Sequence, residues 1–461
     1  MISIFYFFML LFTLMLVPDK YSAFSKSYNF NLGLIYFLLI AVFFLYQRRK
    51  EKNWLRFDVM FIIGYTIVHF QIPFLASLGV EPSRPAFIWL NKDVVNYATW
   101  LSLLGITLWM FAYTIVKQPE GRVPPYFSNK VRVGLADKLL AFLFIGFLLN
   151  AGSNFLGGAY NVNSWGGAAN YFLTLFKTVL YLRIIYFFQK LSNNTAFKVI
   201  LAKALSNKLF ITILITYSLL FFATGSRGEI LRVLLVVAFS YSIFLKPLSF
   251  RFILIAILIG SFVFTVMGMG RGRVAAELGD QGLLQRGYAN FIEMEEKKLP
   301  TEELASSVRI LYRAIDVIPH SHDYLYGVPY AITLISPIPF SASLLVKTFD
   351  IPYQYQATSR LFTYLGQGNH ITYGEGSEVL ADMYANFGFL GIVMLMLIFG
   401  FLSAKVNQKS KLGSFNYTLV YVVILITALS MNRGTVFYAY KEIFYIVMFH
   451  LIFSGKLKWK K

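Results

Sequence analysis

The sequence predicts an all-α polytopic membrane protein with about twelve transmembrane helices and one large extracytoplasmic loop. Composition is the first reason. Of the 461 residues, 57% are hydrophobic, 18% aromatic and only 14% charged, which is more apolar than a soluble core requires. Spacing is the second reason: short connections separate the apolar segments everywhere except in residues 270–385. We therefore expect one integral membrane domain, residues 1–461, with residues 270–385 embedded as a loop between the ninth and tenth spans.

The apolar segments are compared with the roughly 20 residues that cross the hydrocarbon of a bilayer. Several are shorter than this. The first has neither a basic start nor a small-residue cleavage site, which favours a retained helix over a secretory signal. The predicted spans are Ile2–Val17, Asn31–Tyr46, Phe57–Leu78, Tyr97–Val116, Leu139–Phe155, Tyr171–Phe188, Leu209–Thr224, Ile230–Leu245, Phe252–Met269, Phe387–Ser403, Tyr417–Met431 and Val436–Phe453.

Basic residues determine the predicted orientation. Every second connection is rich in lysine and arginine, and these connections with the C-terminal tail hold 23 of the 42 basic residues. The positive-inside rule places them, and both termini, in the cytoplasm. The 270–385 loop holds nine basic and thirteen acidic residues, so it faces the opposite side. Because the cations are spread over these connections, the net charge of +20 indicates topology and not a nucleic-acid partner.

Several chemistries lack their sequence signals. The chain has no cysteine, which removes disulfides and thiolate metal sites. His320 and His322 are close in sequence but lack further ligands at a defined spacing, so we expect no metal site. Neither a P-loop nor the HExxH and GxSxG motifs occur, so nothing indicates ATP-driven transport, familiar hydrolase chemistry or a cofactor.

Two arginine-containing turns are candidate anion sites. Thr224–Glu229, with Arg227, joins spans seven and eight, and Asn432–Thr435, with Arg433, joins spans eleven and twelve. In each, a guanidinium group stands beside glycine at the predicted start of a helix, a combination that binds phosphate oxygens. The alternative is an arginine that reaches the membrane interface beside a tight turn.

A second pair of arginines lies in the loop. Residues Thr301–Asp316 follow a proline and predict an amphipathic helix, on which Arg309 and Arg313 are one turn apart and share a face. Two guanidinium groups so placed repel each other unless an anion lies between them, although Asp316 can offset Arg313. A solvated charged face is the alternative.

The segment that enters the tenth span carries candidate acid–base groups. Glu378 and Asp382 are four residues apart on the predicted helix and face one way. Such a pair suits a general base with its orienting partner, or it complements the helix dipole. His370, in the Gly-rich sequence before them, is a candidate base near neutral pH or an ordinary polar contact. Tyrosines throughout the loop suit sugar stacking or an interfacial aromatic belt.

Together these segments resemble the Wzy-type O-antigen polymerases, or oligosaccharide repeat-unit polymerases. The resemblance covers the topology of the whole chain. The segments that carry it are Thr224–Glu229, Tyr312–Arg313, Ser336–Phe340, Asn369–His370, Gly376–Gly391 and Asn432–Gly434. It implies a fold like that of the C-type glycosyltransferases (GT-C-like) and the O-antigen ligases.

The resemblance also implies an activity. Such enzymes join undecaprenyl-pyrophosphate-linked repeat units at the outer leaflet of the bacterial inner membrane, without a metal, a nucleotide sugar or another cofactor. The implied partners are these lipid-linked oligosaccharides, membrane lipids and a Wzz-type co-polymerase that sets chain length. The implied ligands of the donor and acceptor pyrophosphates are Arg227, Arg309, Arg313 and Arg433. For the base that deprotonates the acceptor hydroxyl, His370 is the first choice and Glu378 the second.

Two other functions remain open at this point. An O-antigen ligase has the same fold class and outward loop, but it transfers the finished glycan to the lipid A-core. A flippase or transporter for lipid-linked oligosaccharides performs no chemistry and is expected to show inverted repeats and charged residues near the membrane midplane. The candidate motifs instead lie near one predicted face, and no repeat is visible in the sequence. This favours the polymerase.

Overall fold

The computed structural model describes residues 2–48, 51–125, 131–156, 158, 165–191, 195–271, 281–293 and 299–456. It is 74% helical, and no strand occurs among these residues, as the predicted all-α class requires. Some residues used to predict topology lie outside the described ranges. They are Arg49, Lys50, Lys130, Lys458, Lys460 and Lys461, together with residues 272–280 and 294–298 of the loop.

The helices are numbered in chain order. They are α1 (Ile2–Met15), α2 (Lys26–Arg48), α3 (Phe57–Tyr65), α4 (Gln71–Ser77), α5 (Pro85–Ile88), α6 (Val95–Ile115), α7 (Val133–Ala151), α8 (Ser153–Leu156), α9 (Gly166–Gln189), α10 (Phe197–Ser206), α11 (Lys208–Ala223), α12 (Arg227–Phe244), α13 (Phe250–Met269), α14 (Leu283–Ile292), α15 (Glu302–Ala305), α16 (Val308–Val317), α17 (Val328–Ile335), α18 (Ser341–Thr348), α19 (Thr358–Gln367), α20 (Val379–Lys411), α21 (Phe415–Met431) and α22 (Tyr440–Phe453). A π-helix, Thr66–Phe70, joins α3 to α4.

Seven helical segments of the described chain are long and apolar enough to cross a membrane, and α10 with α11, which meet at 100°, make an eighth if counted as one span. The seven are Lys26–Arg48, Phe57–Ser77, Lys92–Ile115, Val133–Ala151, Gly166–Gln189, Phe250–Met269 and Val379–Lys411. The apolar helices α1 and α21 are shorter. Each of the twelve predicted segments contains a helix, so the chain is a multi-pass membrane protein. The count of twelve spans and the extent of the loop stay predictions.

Helix α20 differs most from its predicted span. It begins at Val379, eight residues before the predicted start at Phe387. It is also broken at Phe387–Gly388, where Gly388 has φ 64°. Glycine suits this left-handed conformation, and a Cβ there would lie 2.8 Å from the Tyr324 hydroxyl oxygen. A hydropathy pattern locates the apolar part of a helix but not its polar first turns.

The single amphipathic helix predicted for Thr301–Asp316 is wrong, because two helices occupy this stretch. Helix α15 ends at Ala305 and α16 begins at Val308. The intervening serines explain the break, since the Ser306 hydroxyl donates to the Glu303 carbonyl at 2.8 Å. Serine side chains that bond the nearby backbone compete with continued helix formation.

The described contacts group into two compact units. Unit 1 comprises Met1–Glu51, Arg56–Val123 and Thr301–Lys441, and unit 2 comprises Lys52–Leu55, Pro124–Pro300 and Glu442–Lys461. In unit 1 the almost wholly buried α6 packs against α1, α2 and α20, and α3 packs against α21. In unit 2, α9 packs against α7 and α12. The predicted loop is divided between the units after Pro300, and its embedding as one region stays a prediction.

Candidate functional site

A carboxylate joins the two loop arginines of unit 1. Arg309 and Arg313 both reach Glu375, whose Oε2 contacts Arg309 Nη1 directly and lies 3.4 Å from Arg313 Nη1. The anion that their helical spacing requires is therefore Glu375, from the Gly-rich segment before α20. Asp316, the predicted partner of Arg313, instead accepts a hydrogen bond from Asn91 at 2.9 Å.

Two further contacts hold Glu375 in place, one to its carboxylate and one from its backbone. The Tyr373 hydroxyl donates to Glu375 Oε1 at 3.1 Å, and the Glu375 backbone N–H donates to Thr363 Oγ1 on α19 at 3.0 Å. Burial, followed by the nearby Glu375 carboxylate, raises the pKa of Tyr373, so its hydroxyl remains a donor at neutral pH. The Gly-rich segment is thus fixed at the residue that meets the arginines.

Each of the two arginines also has a contact that does not involve Glu375. The Arg309 guanidinium lies over the Phe87 ring, 4.0 Å from its centre, a favourable cation–π geometry. Arg313 Nη1 donates to the Phe362 carbonyl at 3.2 Å. Gly366 permits this arrangement, since a Cβ at that position would lie 2.4 Å from Arg313 Nη1.

The arginine–glutamate cluster comprises Arg309, Arg313 and Glu375, and its charges do not balance among the described residues. Two guanidinium groups face one carboxylate, and guanidinium groups in proteins carry a positive charge. Burial lowers the pKa of Arg309, and the Glu375 carboxylate acts in the opposite direction. A buried group of cations with one charge in excess is suited to binding an anion whose charge exceeds that of a single carboxylate.

Glu378 is fully buried and caps α20. Its Oε1 accepts from the Leu380 backbone N–H and its Oε2 from that of Ala381, both at 2.8 Å. His69 Nε2 lies 3.1 Å from Oε1. Since Glu378 is the N-cap with extended backbone, the prediction that it shares one helical face with Asp382 is wrong.

Asp382 has a separate set of partners, all hydroxyl groups. It accepts from the Tyr330 hydroxyl at 2.8 Å and from Thr358 Oγ1 at 2.7 Å, and the Thr435 hydroxyl is a third partner. Burial and then the Asp382 charge raise the pKa of Tyr330, which keeps its hydroxyl protonated. Asp382 therefore connects α17, α19 and the turn after α21.

His370 is exposed and lies in the loop between α19 and α20. Gln367 closes this loop: its Oε1 accepts from the Thr372 backbone N–H at 2.9 Å, and its Nε2 donates to the Tyr373 carbonyl at 2.7 Å. The loop that carries His370 therefore leads directly to Tyr373 and Glu375. An exposed imidazole is accessible to a substrate, unlike the buried carboxylates beside it.

Comparison with protein families decides the class of protein. The family model for the O-antigen polysaccharide polymerase Wzy matches residues 1–461, the whole chain. The chain belongs to this Wzy family. It is accordingly an enzyme of the glycosyltransferase type, with an O-antigen polymerase role and lipid-linked oligosaccharides as substrates. Comparisons with curated proteins and with solved structures found no match.

The two remaining candidate arginines of this Wzy-family chain occupy different settings. Arg227 is the first residue of α12 in unit 2, as predicted, and its Nη1 donates to the Phe264 carbonyl at 3.1 Å. Arg433, in unit 1, is 45% exposed and lies 3.7 Å from Glu303 Oε1. The next helix begins only at Tyr440, so the prediction of a helix N-terminus at Arg433 is wrong.

Charged residues of α9, α12 and α22 in unit 2 pair with one another. Lys177 Nζ lies 2.9 Å from Glu229 Oε1, and Arg232 Nη1 lies 3.0 Å from Glu442 Oε1. The two pairs are linked, because Arg232 Nη1 is also 3.9 Å from Glu229 Oε1. The cluster Lys177–Glu229–Arg232–Glu442 therefore contains equal numbers of cations and carboxylates.

Sequence reasoning does not single out Glu375, His69 or Tyr330. For His69 a signal exists: a titratable side chain inside a predicted span is a functional candidate, and the π-helix that carries it is a geometry frequent at functional sites. Glu375 and Tyr330 carry no local signal, because their importance comes from contacts made by distant segments. Within the described residues, no group of three His, Asp or Glu side chains is arranged to hold a metal ion.

Proposed function

We propose that this Wzy-family protein joins undecaprenyl-pyrophosphate-linked repeat units into an O-antigen-like polysaccharide at the outer leaflet of the bacterial inner membrane, with both termini in the cytoplasm. The acceptor hydroxyl attacks the anomeric carbon of the donor glycan. The bond between that carbon and the pyrophosphate oxygen breaks, and undecaprenyl pyrophosphate leaves. The hydroxyl proton passes to a protein base. The lipid diphosphate already activates the donor, so no nucleotide sugar is needed, and arginines stabilise its charge in place of a metal.

The observation that carries this proposal is the arginine–glutamate cluster. Pyrophosphate gains negative charge as the glycosidic bond breaks, and guanidinium groups already in position stabilise that charge without reorganisation. Arg309 and Arg313 are fixed by Phe87 and by the Phe362 carbonyl. Their joint excess of positive charge over Glu375 matches an anionic leaving group.

Glu375 supplies the internal anion before substrate binds. A lone carboxylate balances only one of the two guanidinium charges, whereas a pyrophosphate balances both. We infer that the substrate pyrophosphate takes the place of the Glu375 carboxylate, which then remains bonded to Tyr373. In the absence of substrate, Glu375 offsets part of the free-energy cost of burying the two cations.

Further roles follow from position. Arg227 and Arg433 are further proposed ligands of the donor and acceptor pyrophosphates, each considered within its own unit. His370 is the base, because it is exposed and lies on the loop that leads to Glu375. Glu378, with both oxygens occupied by α20 backbone groups, acts on the loop geometry. A Wzz-type co-polymerase and the surrounding membrane lipids are the expected partners.

The experiment that tests the proposal is a lipopolysaccharide gel from a strain that lacks this gene. We expect the ladder to collapse to core plus a single repeat unit, with recovery on complementation. Long polymer trapped on the carrier would indicate a ligase, and loss of all repeat units from the surface would indicate a flippase. Either result contradicts the polymerase assignment.

Point variants in the complemented strain test the individual roles. We expect Arg227→Lys, Arg313→Lys and Arg433→Lys to fail, because a lysine cannot form the bidentate fork of arginine. Arg360→Lys is the matched control, since Arg360 lies on α19 and stacks on Tyr353. Normal ladders from all three test variants would refute the pyrophosphate role. A normal ladder from His370→Ala would remove His370 as the base.

A further inference from the structure

An apolar helical hairpin projects from unit 1 within the region predicted to lie outside the membrane. Helices α17 and α18 are joined by the turn Ser336–Phe340, and Lys347 is the only charged residue between Asp323 and Asp350. Several of its large apolar side chains are exposed. They are Leu334, Ile338, Phe340 and Leu344, with Phe349 just after α18; Ile338 is 60% and Phe340 85% exposed. Such a patch marks an interaction surface, because isolated soluble surfaces rarely present one.

The tip of this hairpin is built to present its apolar side chains. Phe340 has φ 65°, a left-handed conformation that is rare for a bulky residue. The Ser341 hydroxyl holds the turn closed by donating to the Ile335 and Ile338 carbonyls at 2.6 and 2.7 Å. Phe340, the most exposed of these side chains, therefore lies in a strained backbone conformation.

Several backbone groups of the turn are satisfied within the hairpin. Pro337 and Pro339 have no N–H group, and the N–H groups of Ser336, Ile338 and Ser341 donate to carbonyls within the hairpin. A polar group left unpaired in hydrocarbon costs several kcal/mol, so non-helical backbone enters a membrane only when it is satisfied internally. This turn meets that condition at the groups named.

The base of the hairpin is attached to a membrane span. The Gly327 N–H donates to Asn386 Oδ1 at 3.1 Å, and the Tyr330 hydroxyl donates to Asp382. Both partners lie on α20, which is long and apolar enough to cross the bilayer. Leu390, just beyond them on α20, is 67% exposed. The apolar surface of the hairpin thus starts beside a surface already suited to lipid.

We propose that the α17–α18 hairpin inserts its tip into the acyl region of the outer leaflet as a re-entrant element. Each helix has eight residues and is about 12 Å long, too short to cross the ~30 Å of hydrocarbon. Insertion from one side is therefore the geometry available to it. Lys347 then lies at the depth of the phosphate groups.

The test places a label on the tip of the full-length protein in phospholipid nanodiscs. The chain has no cysteine, so Ile338→Cys carries a single environment-sensitive fluorophore. Two controls bracket it: Leu390→Cys, on the exposed face of α20, and Ser321→Cys, on the exposed polar turn after α16. Doxyl groups on the lipid chains quench a label in the acyl region, and iodide quenches a label in water.

We expect the Ile338 label to be quenched by doxyl lipids to within about two-fold of the Leu390 label and to resist iodide. Iodide quenching equal to that of Ser321 would place the tip in water and overturn the proposal. Protection from both quenchers would mean that protein, such as a second copy of this chain, covers the tip, which also overturns it. Phe340→Cys provides an independent position if the first variant folds poorly.

Label position does not require polymerase activity, so the outcome is separable from that of the proposed function. A positive result also gives the inserted tip a structural role. Tyr330 of α17 donates to Asp382 of α20, so the depth of the tip determines the depth at which these two helices meet in the leaflet.

Discussion

Two buried clusters of charged side chains, one from each unit, differ in their balance of charge among the described residues. The arginine–glutamate cluster of unit 1 has two cations for one carboxylate, on short helices and a Gly-rich loop. The cluster Lys177–Glu229–Arg232–Glu442 of unit 2 has two of each, on long apolar helices. Its carboxylates have further neutral partners, such as the Tyr217 hydroxyl at 2.9 Å from Glu229 Oε2.

The difference separates binding from structure. Buried charges that balance one another are satisfied without a ligand, and they fix the helices that carry them. Buried charges that do not balance retain attraction for an anion from outside the protein. We therefore propose ligand binding for the arginine–glutamate cluster of unit 1 and helix association for the cluster Lys177–Glu229–Arg232–Glu442 of unit 2.

The largest expected effect is the loss of catalysis in unit 1. Arg313→Gln should lower the polymerisation rate per folded molecule by about 100-fold or more, since about 2.7 kcal/mol of transition-state stabilisation corresponds to that factor. The rate is measured with purified protein in nanodiscs and lipid-linked repeat units. A rate within a few-fold of wild type would remove the distinction between the two clusters.

The next effect is on stability, in unit 2. Glu442→Gln leaves Arg232 without its 3.0 Å partner and should lower the free energy of unfolding by about 3 kcal/mol. The rate per folded molecule should stay within about two-fold of wild type. The double variant Arg232→Met and Glu442→Met, which removes both charges, should recover most of the stability. Thermal unfolding of the three proteins checks this, and a double variant less stable than Glu442→Gln contradicts it.

A sharper test replaces the internal anion with an external one. Glu375→Gln removes the carboxylate between Arg309 and Arg313, so inorganic pyrophosphate should bind it about ten-fold more tightly than it binds wild type, a difference of about 1.4 kcal/mol. The readout is the rise in unfolding temperature with added pyrophosphate. The double variant Arg232→Met and Glu442→Met, whose remaining Lys177 and Glu229 charges still balance, is the control and should show no added response. An equal response in both variants would contradict the comparison.

The smallest effect comes from one added methyl group. A Cβ at Gly366 would lie 2.4 Å from Arg313 Nη1 and 2.8 Å from Glu375 Oε1, whereas one at Gly374 meets nothing within 4 Å. Gly366→Ala moves the end of a flexible side chain, so stability should change little, while polymerisation should fall about five-fold. Gly374→Ala in the same loop should match wild type. Equal rates for the two variants would show that the Arg313 position is unimportant.

Local patterns in the sequence predict the parts of this molecule that depend on neighbouring residues. Hydropathy locates a helix at each of the twelve apolar segments, and the spacing of Arg309 and Arg313 predicts a shared face with either an anion or solvent between the two groups. Identifying that anion as Glu375 requires knowing how a distant loop folds back. The same patterns assign the α17–α18 hairpin to the loop, because each of its two helices is shorter than a span.

Helix boundaries were the other source of error. A shift of one residue turns Glu378 from a first-turn acid into an N-cap, which changes its direction and its partners. Arg433 was placed at a helix start because Asn432–Thr435 resembles Thr224–Glu229, yet α22 begins only at Tyr440. Single-sequence patterns specify where a helix lies more firmly than where it ends.

The break in α20 at Phe387–Gly388 affects how this protein tolerates change. Near the interruption, the Leu325 N–H donates to the Ala385 carbonyl at 2.9 Å and the Tyr326 N–H donates to the Asn386 carbonyl at 3.1 Å. These bonds use main-chain atoms, so they tolerate substitutions that keep the local backbone. Asn386 is constrained beyond this, because its side chain also accepts from the Gly327 N–H. Ala385 is fully buried, so a larger side chain there is expected to disturb the packing beside the break.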